Sequence, residues 1–474
     1  MQFQTNNPTA NRLYNLLWEL CSIPRASYHE DPIVDHLCGL LEDKKVQYTR
    51  DASNNLVFTI PASPDKADCQ PVILQGHTDM VFVTDDQHKD HLHTQPLVLK
   101  TDGEYLWAEG TSLGADDAVS IPIMLALLDE DFSHPAIECV LTTQEEVGLN
   151  GAKALDKTLL KGKRMINLDN EEEGFGIVGC AGGVSIALEK SYTALPVAGP
   201  GLSLCLRGLK GGHSGMEIQN LRLNANKWMA QLLEKIPTPY VLCDFRGGTV
   251  DNAIPSVCRV EVVPKGDPAL FRTQVLELSE QLLAPHRSYE PDAQFSVEAA
   301  QPTRGLDYDC TKELLSLIQK APHGVIEAMA DGAVLTSINA ATVSVSQDTL
   351  CLVLSCRSAK NEQKQALCQQ VEALGQSLGF HATLSGDYPG WAPREDSSMQ
   401  TAYENAFAKV YGRLPRCQAI HAGLECGVFA DAIADFDAIS LGPNNLNIHT
   451  PKERLELASL ERTYRVVVEM LKKL

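Results

Sequence analysis

No stretch of this 474-residue sequence approaches the roughly 18 continuous apolar residues that a membrane-spanning helix needs. The opening segment, MQFQTNNPTANRLYNLLWELCSIPR, has neither the basic start nor the unbroken apolar stretch of a secretory leader, so a cytoplasmic location is expected. Basic residues are scarce. Forty Lys and Arg against 61 Asp and Glu leave a net charge of −21, which argues against nucleic acid and anionic membranes as partners. The acidic excess does not by itself name a substrate. Among 14 cysteines there is no CxxC pair, and the chain is far longer than a disulfide-stapled miniature. Reduced thiols are therefore expected, with Cys21, Cys38 and Cys139 serving as small apolar core residues. Low-complexity tracts and short repeats are also missing.

What is present is ordinary globular material, 44% hydrophobic and 21% charged, in a chain long enough for two or three domains. Residues 1–185 alternate helical and strand patterns. Apolar spacing predicts helices over 11–20 and 31–42, and short apolar runs predict buried strands at 55–60, 71–74, 138–141 and 165–168. The segment AVSIPIMLALL, 118–128, reads as a buried helix with Pro122 in its first turns. Such alternation predicts an α/β fold with a mainly parallel sheet, in which ligands gather at the carboxyl ends of the strands. Residues 186–395 change texture. Strand-like GLSLCLRGL, VCRVEVVP and DTLCLVLSCR, interleaved with helices over 272–283 and 363–378, predict an inserted α+β lid or dimerisation domain. Residues 396–474 return to helix–strand–helix (398–411, 438–441, 455–471) and are expected to rejoin the first domain's sheet.

Four apolar runs lead into metal-type ligands. VILQG leads to His77 and Asp79, CVLTTQ to Glu145 and Glu146, MINL to Asp169, and AISLGPN precedes His449. A fifth element, GTSLGADD, sets Asp116 and Asp117 before the buried helix. One acidic residue closing a strand usually just solvates a loop; five coincidences of this kind are hard to explain by solvation. Two imidazoles with several carboxylates suit zinc, cobalt or manganese. A pair of cations roughly 3.5–4 Å apart can share one carboxylate and hold a water between them. Asp116, after Gly114 and Ala115, suits the shared position. Asp79, two residues beyond His77, falls on the same face if the strand continues and can orient the imidazole. Glu145 and Glu146 are expected to point apart, one to metal and one to protons.

With these residues assembled, the chain resembles the co-catalytic zinc peptidase family that includes carnosinase, carboxypeptidase G and aminoacylase. GHTDMV, GTSLGADD, TTQEEVG, NLDN and IHTP occur in that family's order. GLKGGHSGMEI and HAGLECGVF bring it nearest the branch acting on aminoacyl-histidine dipeptides. The resemblance spans nearly the whole chain. It implies that His77, Asp116 and Asp169 hold one zinc, that Asp116, Glu146 and His449 hold the other, that Asp79 orients His77, and that Glu145 is the general base. It implies a bridging hydroxide between the two metals as nucleophile and His213, in GGHSG, as a donor to the oxyanion. Asn252 (DNAIP), Arg357 (SCRS), His421 and Glu425 (HAGLECG) match substrate-binding positions, and Arg357 can clamp a peptide carboxylate. The implied activity is hydrolysis of unblocked dipeptides, including Xaa-His such as β-alanyl-histidine, by a homodimer. One departure is the lid, about twice the family's usual length, which leaves open whether His213 serves its own subunit or a neighbour.

Other readings use the same donors. An N-acyl-amino-acid amidohydrolase or a tripeptide aminopeptidase would share the dimetal site. A metal-binding scaffold would not need Glu145, because a purely structural site closes its coordination. The HKDHLH cluster, His88, His91 and His93, follows a polar stretch with no buried strand feeding it and is expected to be a solvated loop. Asp117 is expected to be a helix-start residue.

Overall fold

Apolar runs without polar alternation become interior strands of one sheet. The structure, a computed structural model, describes residues 3–329, 332–346 and 348–474. Its larger sheet comprises β1 (Tyr48–Arg50), β2 (Leu56–Ile60), β3 (Val72–His77), β4 (Ile137–Thr142), β5 (Arg164–Asn167), β6 (Phe175–Cys180), β7 (Arg416–Ile420) and β8 (Asp437–Ser440). The spatial order is β1-β2-β4-β3-β5-β8-β6-β7. The central pairs β4–β3, β3–β5 and β5–β8 are parallel, as is β6–β7, while β1–β2, β2–β4 and β8–β6 are antiparallel. All six residues of β3 and of β4 are buried, as expected of strands covered on both faces. β3 outruns its apolar stretch because its ladder with β4 continues through Gly76 and His77 to Leu141 and Thr142. β8 rejoins the sheet beside β5, as the C-terminal pattern predicts. β6 and β7, which periodicity does not reveal, are short segments, FGIVGC and RCQAI, with little apolar alternation.

Helices α1 (Pro8–Cys21), α2 (Asp31–Asp43), α3 (Ser120–Leu127), α4 (Ser398–Tyr411), α5 (Glu425–Ala432) and α6 (Leu457–Leu471) belong to the same unit. Asn7 caps α1 by accepting from the backbone N–H groups of Thr9 and Ala10, and Leu13, Leu17 and Leu20 are its fully buried face. Every residue of α3 is buried, as its sequence, apolar on all sides after Ser120, requires. A small four-stranded sheet pairs Leu99–Thr101, Tyr105–Ala108, Arg454–Glu456 and Asn445–Leu446. Its last two strands make a hairpin whose loop carries His449.

The chain forms two compact units. The first comprises Met1–Cys180, Gly390–Ile420 and Leu424–Leu474, and the second Ala181–Pro389 with His421–Gly423. The second unit is built on a nine-stranded antiparallel sheet with its own core around Leu204, Phe245, Val260, Leu352 and Trp228. Among the described residues no helix is long and apolar enough to cross a membrane, and all fourteen cysteines are free thiols.

The C-terminal return is tied down by one buried carboxylate. Asp437, the first residue of β8, accepts hydrogen bonds from the Ser397 and Ser398 hydroxyls (2.6 and 2.7 Å) and from the backbone N–H groups of Ser398 and Met399 (2.7 and 3.1 Å). Asp437→Ala strands these donors at the start of α4 and is expected to cost about 1–3 kcal/mol. A melting curve should show Tm lowered by several degrees; an unchanged Tm contradicts this role.

Candidate metal centre

Because β3, β4 and β5 run parallel, their carboxyl ends open on one edge of the sheet. His77 is the last residue of β3, Glu145 and Glu146 follow β4, and Asp169 lies two residues past β5. Asp116 enters from the loop before α3, and His449 from the hairpin loop, where its φ is +57°.

The side chains converge. His77 Nε2 lies 3.1 Å from Asp116 Oδ1 and 3.5 Å from Asp169 Oδ1. His449 Nε2 lies 3.2 Å from Asp116 Oδ2 and 2.8 Å from Glu146 Oε1. Asp116 thus gives one oxygen to each imidazole. Two three-donor groups result, His77/Asp116/Asp169 and Asp116/Glu146/His449, and Glu145 joins a third with His77 and Glu146. Glu145 and Glu146 do not point apart as an extended strand would direct them. β4 ends at Thr142 and Gln144 is left-handed, φ +52°, so the chain turns and brings both carboxylates into one cluster.

The donor set fits a pair of divalent cations. Donors about 2.0–2.1 Å from a tetrahedral ion stand roughly 3.3 Å apart, and the observed separations bracket that value. The electrostatics point the same way. Four carboxylates (Asp116, Asp169, Glu145 and Glu146) face only two imidazoles, so full ionisation gives −4, the charge that two dications offset. Without them, burial and then the neighbouring carboxylates push Asp169 and Glu145 well above the usual carboxylate range. Burial opposes the charged imidazole of His77, but Asp169, Asp116 and Asp79 outweigh it and raise His77 well above its ordinary value. For His449 burial is again outweighed, by Asp116 and Glu146, and the group is raised to about 10.

Asp79 faces the cluster from behind. Its Oδ1 is 3.4 Å from His77 Nδ1, although the strand has already ended. It also accepts from the backbone N–H groups of Glu145 (3.0 Å) and Glu146 (3.3 Å) and from the Ser27 hydroxyl (2.8 Å), so it holds the turn that carries both glutamates. Asp117 stands in the first turn of the short helix Ala115–Ala118, just before α3; it is fully buried, and its Oδ2 accepts from the His77 backbone N–H at 3.1 Å, so it also anchors β3 to this turn. Glu425 is also fully buried. Its carboxylate accepts from the Thr142 hydroxyl at 2.7 Å and from Gln75, and burial raises it to about 7. Its Oε1 has no hydrogen-bond partner among the described residues.

Three charged residues near this cluster escape sequence reasoning: Arg25, Glu171 and Glu453. Arg25 and Glu453 are only 1% and 2% exposed, and Glu171 is raised to about 7 by burial and then by Asp116. Charged residues in SIPR, NEEEG and TPKERL carry no periodic signal that they face inward.

The second unit holds the other expected residues. His213 Nδ1 accepts from the backbone N–H groups of Gly215 (3.3 Å) and Met216 (3.2 Å), which assigns its proton to Nε2. Burial, then the Arg357 charge, lowers its pKa, so the ring is neutral near pH 7. Ser214 donates its backbone N–H to the carbonyl of Asn252, whose residue is exposed. Arg357 is buried and donates to the Tyr388 hydroxyl at 3.0 Å; its strand partner Ser337 contacts His421 Nε2 at 2.7 Å. His421 is lowered to about 4 by burial and then by Arg357.

The HKDHLH stretch forms no helix or strand, but it is packed, not fully solvated. His88 bonds Asp85 at 2.7 Å, His91 stacks on Phe82 and His93 lies 4.3 Å from His29. None of the three joins a metal-type group among the described residues.

Comparison with known proteins agrees with this arrangement of the chain. It is 31% identical over 474 residues to the cytosol non-specific dipeptidase of Escherichia coli (strain K12), covering 98% of this chain and 97% of that one. The crystal structure of aminoacylhistidine dipeptidase from Vibrio alginolyticus superposes with a TM-score of 0.88 at 29% identity, over 99% of this chain and 98% of the other. Aminopeptidase PepT from Bacillus cereus shares the fold, with a TM-score of 0.57 at 19% identity over 98% of both chains. The model of peptidase family M20/M25/M40 matches residues 73–473, and the chain belongs to that family.

Proposed function

We propose that the protein is a two-metal dipeptidase that hydrolyses unblocked dipeptides, Xaa-His among them. The observation that carries this reading is the shared carboxylate: Asp116 turns Oδ1 to His77 and Oδ2 to His449. The dipeptide substrate class is supported by the names of the two relatives that match nearly end to end. Those relatives and the free thiols also support a cytoplasmic location.

His77, Asp116 and Asp169 would hold one ion and Asp116, Glu146 and His449 the other; zinc fits these donors, and cobalt or manganese accepts them. When bound, such ions would lower the pKa of a water toward ~7 and polarise the scissile carbonyl. Glu145 is in neither of these two ligand sets but clusters with His77 and Glu146 beside them, and its carboxylate is the proposed group that takes the water's proton and returns it to the departing amine. Asp79 keeps His77 oriented and holds the Glu145–Glu146 turn through their backbone N–H groups. His213, neutral with Nε2–H available, is the proposed donor to the developing oxyanion. Arg357 is proposed to pair with the substrate carboxylate, with Asn252, His421 and Glu425 as further contacts. A homodimer is retained as part of the proposal, and a monomeric mass by sedimentation at working concentration would remove it.

Glu145→Gln is expected to keep its metal content and lose about 10²–10⁴-fold in kcat. Wild-type turnover in that variant removes Glu145 from the mechanism. His213→Ala should lower kcat by about 10²–10³-fold with little change in KM, whereas a pure KM effect would make it a binding residue only. The substrate assignment is tested by comparing β-alanyl-histidine with its N-acetylated form. The free-amine dipeptide should be cleaved and the blocked one spared; cleavage of only the blocked compound overturns the dipeptidase reading.

A further inference from the structure

Asp116 can face two imidazoles only if the loop that carries it is fixed, and residues 113–116 stand at the start of a short helical turn, Ala115–Ala118, where backbone N–H groups have no partner within the helix. Their backbone N–H groups turn instead to one carboxylate. Glu453 Oε2 accepts from Leu113 and Gly114 at 2.8 Å each, and Oε1 accepts from Ala115 at 2.8 Å, with the Asp116 N–H at 3.5 Å. Asn445 Nδ2 adds a bond to Oε1 at 3.1 Å.

Arg25 grips the same loop from its carbonyl side. Its Nη2 donates to the Gly114 carbonyl, while Nη1 donates to the carbonyls of Thr78 (3.1 Å) and Asp79 (3.0 Å). Gly114 is left-handed, φ +69°, and a Cβ there would meet Arg25 Nη2 and Met80 Sδ at 2.6 Å, so the guanidinium needs a glycine at this point.

Two opposite charges are therefore buried on either side of one peptide unit, both bonded to Gly114. Burying a charge is costly unless dipoles or a partner offset it, and here backbone dipoles do so on both sides. A neutral side chain would fill the space without that penalty, so the charges must serve the loop. The three segments they join carry three of the six metal-type donors: the chain just after His77, the loop ending in Asp116, and the hairpin of His449, from which Glu453 projects.

We infer that Arg25 and Glu453 are positioning residues: a charged clamp on residues 113–116 that sets Asp116 between His77 and His449. The inference rests on the reading of Asp116 as the shared metal ligand, and the two can fail separately. Outer partners of metal ligands typically affect affinity or activity 10–100-fold. Gln at 453 would turn an N–H₂ toward backbone donors, and Lys at 25 cannot span three carbonyls.

The test is zinc titration of the metal-free protein by chelator competition, alongside kcat, KM and circular dichroism. Glu453→Gln and Arg25→Lys should stay folded, bind at least one zinc 10–100-fold more weakly, and lose kcat to a similar degree with KM within about twofold. If Glu453→Gln does not fold, Glu453→Asp, which keeps the charge but not the reach, is judged by the same criterion. Folded variants with zinc affinity and kcat within twofold of wild type overturn the clamp. Wild-type protein that binds no zinc pair, or Asp116→Asn that binds two zincs as tightly as wild type, overturns the underlying reading instead.

Discussion

One carboxylate facing two imidazoles is the constraint on which the rest of the first unit depends. Asp116 cannot present both oxygens from a mobile loop, because each extra ångström of freedom would separate one donor set from the other. The fold answers this with three parallel strands ending at one edge, an all-buried helix just beyond the loop, and a hairpin that delivers His449 from the far end of the chain. Burial first, and then the neighbouring carboxylates, raise Glu145 and Asp169, so their charged forms are disfavoured without a cation.

The polar groups behind the cluster divide the work. Asp79 and Asp117 both act on His77, the first at its ring and the second at its backbone N–H, so imidazole and strand are fixed together. Asp79 also ties the Glu145–Glu146 turn to the same point, which links the proposed proton carrier to a proposed metal ligand through one buried carboxylate. In the second unit, His213 and His421 share a neighbour in Arg357, whose charge helps keep both rings neutral. A neutral ring with Nδ1 accepting from backbone N–H groups carries its proton on Nε2 and can donate there.

Much of the fold was readable because burial on both faces leaves a plain trace: VILQG, CVLTT and MINL have no polar alternation and became β3, β4 and β5. Residues of ligand type at the ends of such runs were conspicuous for the same reason, and the structure brings His77, Asp116, Glu145, Glu146, Asp169 and His449 together. Periodicity failed where local sequence is not what decides. β6 and β7 are short and exist because their neighbours offer a ladder. Asp117, Glu425, Arg25 and Glu453 are charged residues turned inward by partners between 40 and 339 positions away, and no spacing rule announces them. The opposed directions expected of Glu145 and Glu146 held only for an extended chain, and the left-handed Gln144 removed that premise.

The central claim, that Asp116 is held in common by two cations, is tested most directly by anomalous diffraction at the zinc edge from crystals grown with zinc. The expected map has two peaks roughly 3.5–4 Å apart, one beside His77 and Asp169, the other beside Glu146 and His449, with Asp116 between them. A single peak, or two that leave Asp116 uncoordinated, would contradict the account.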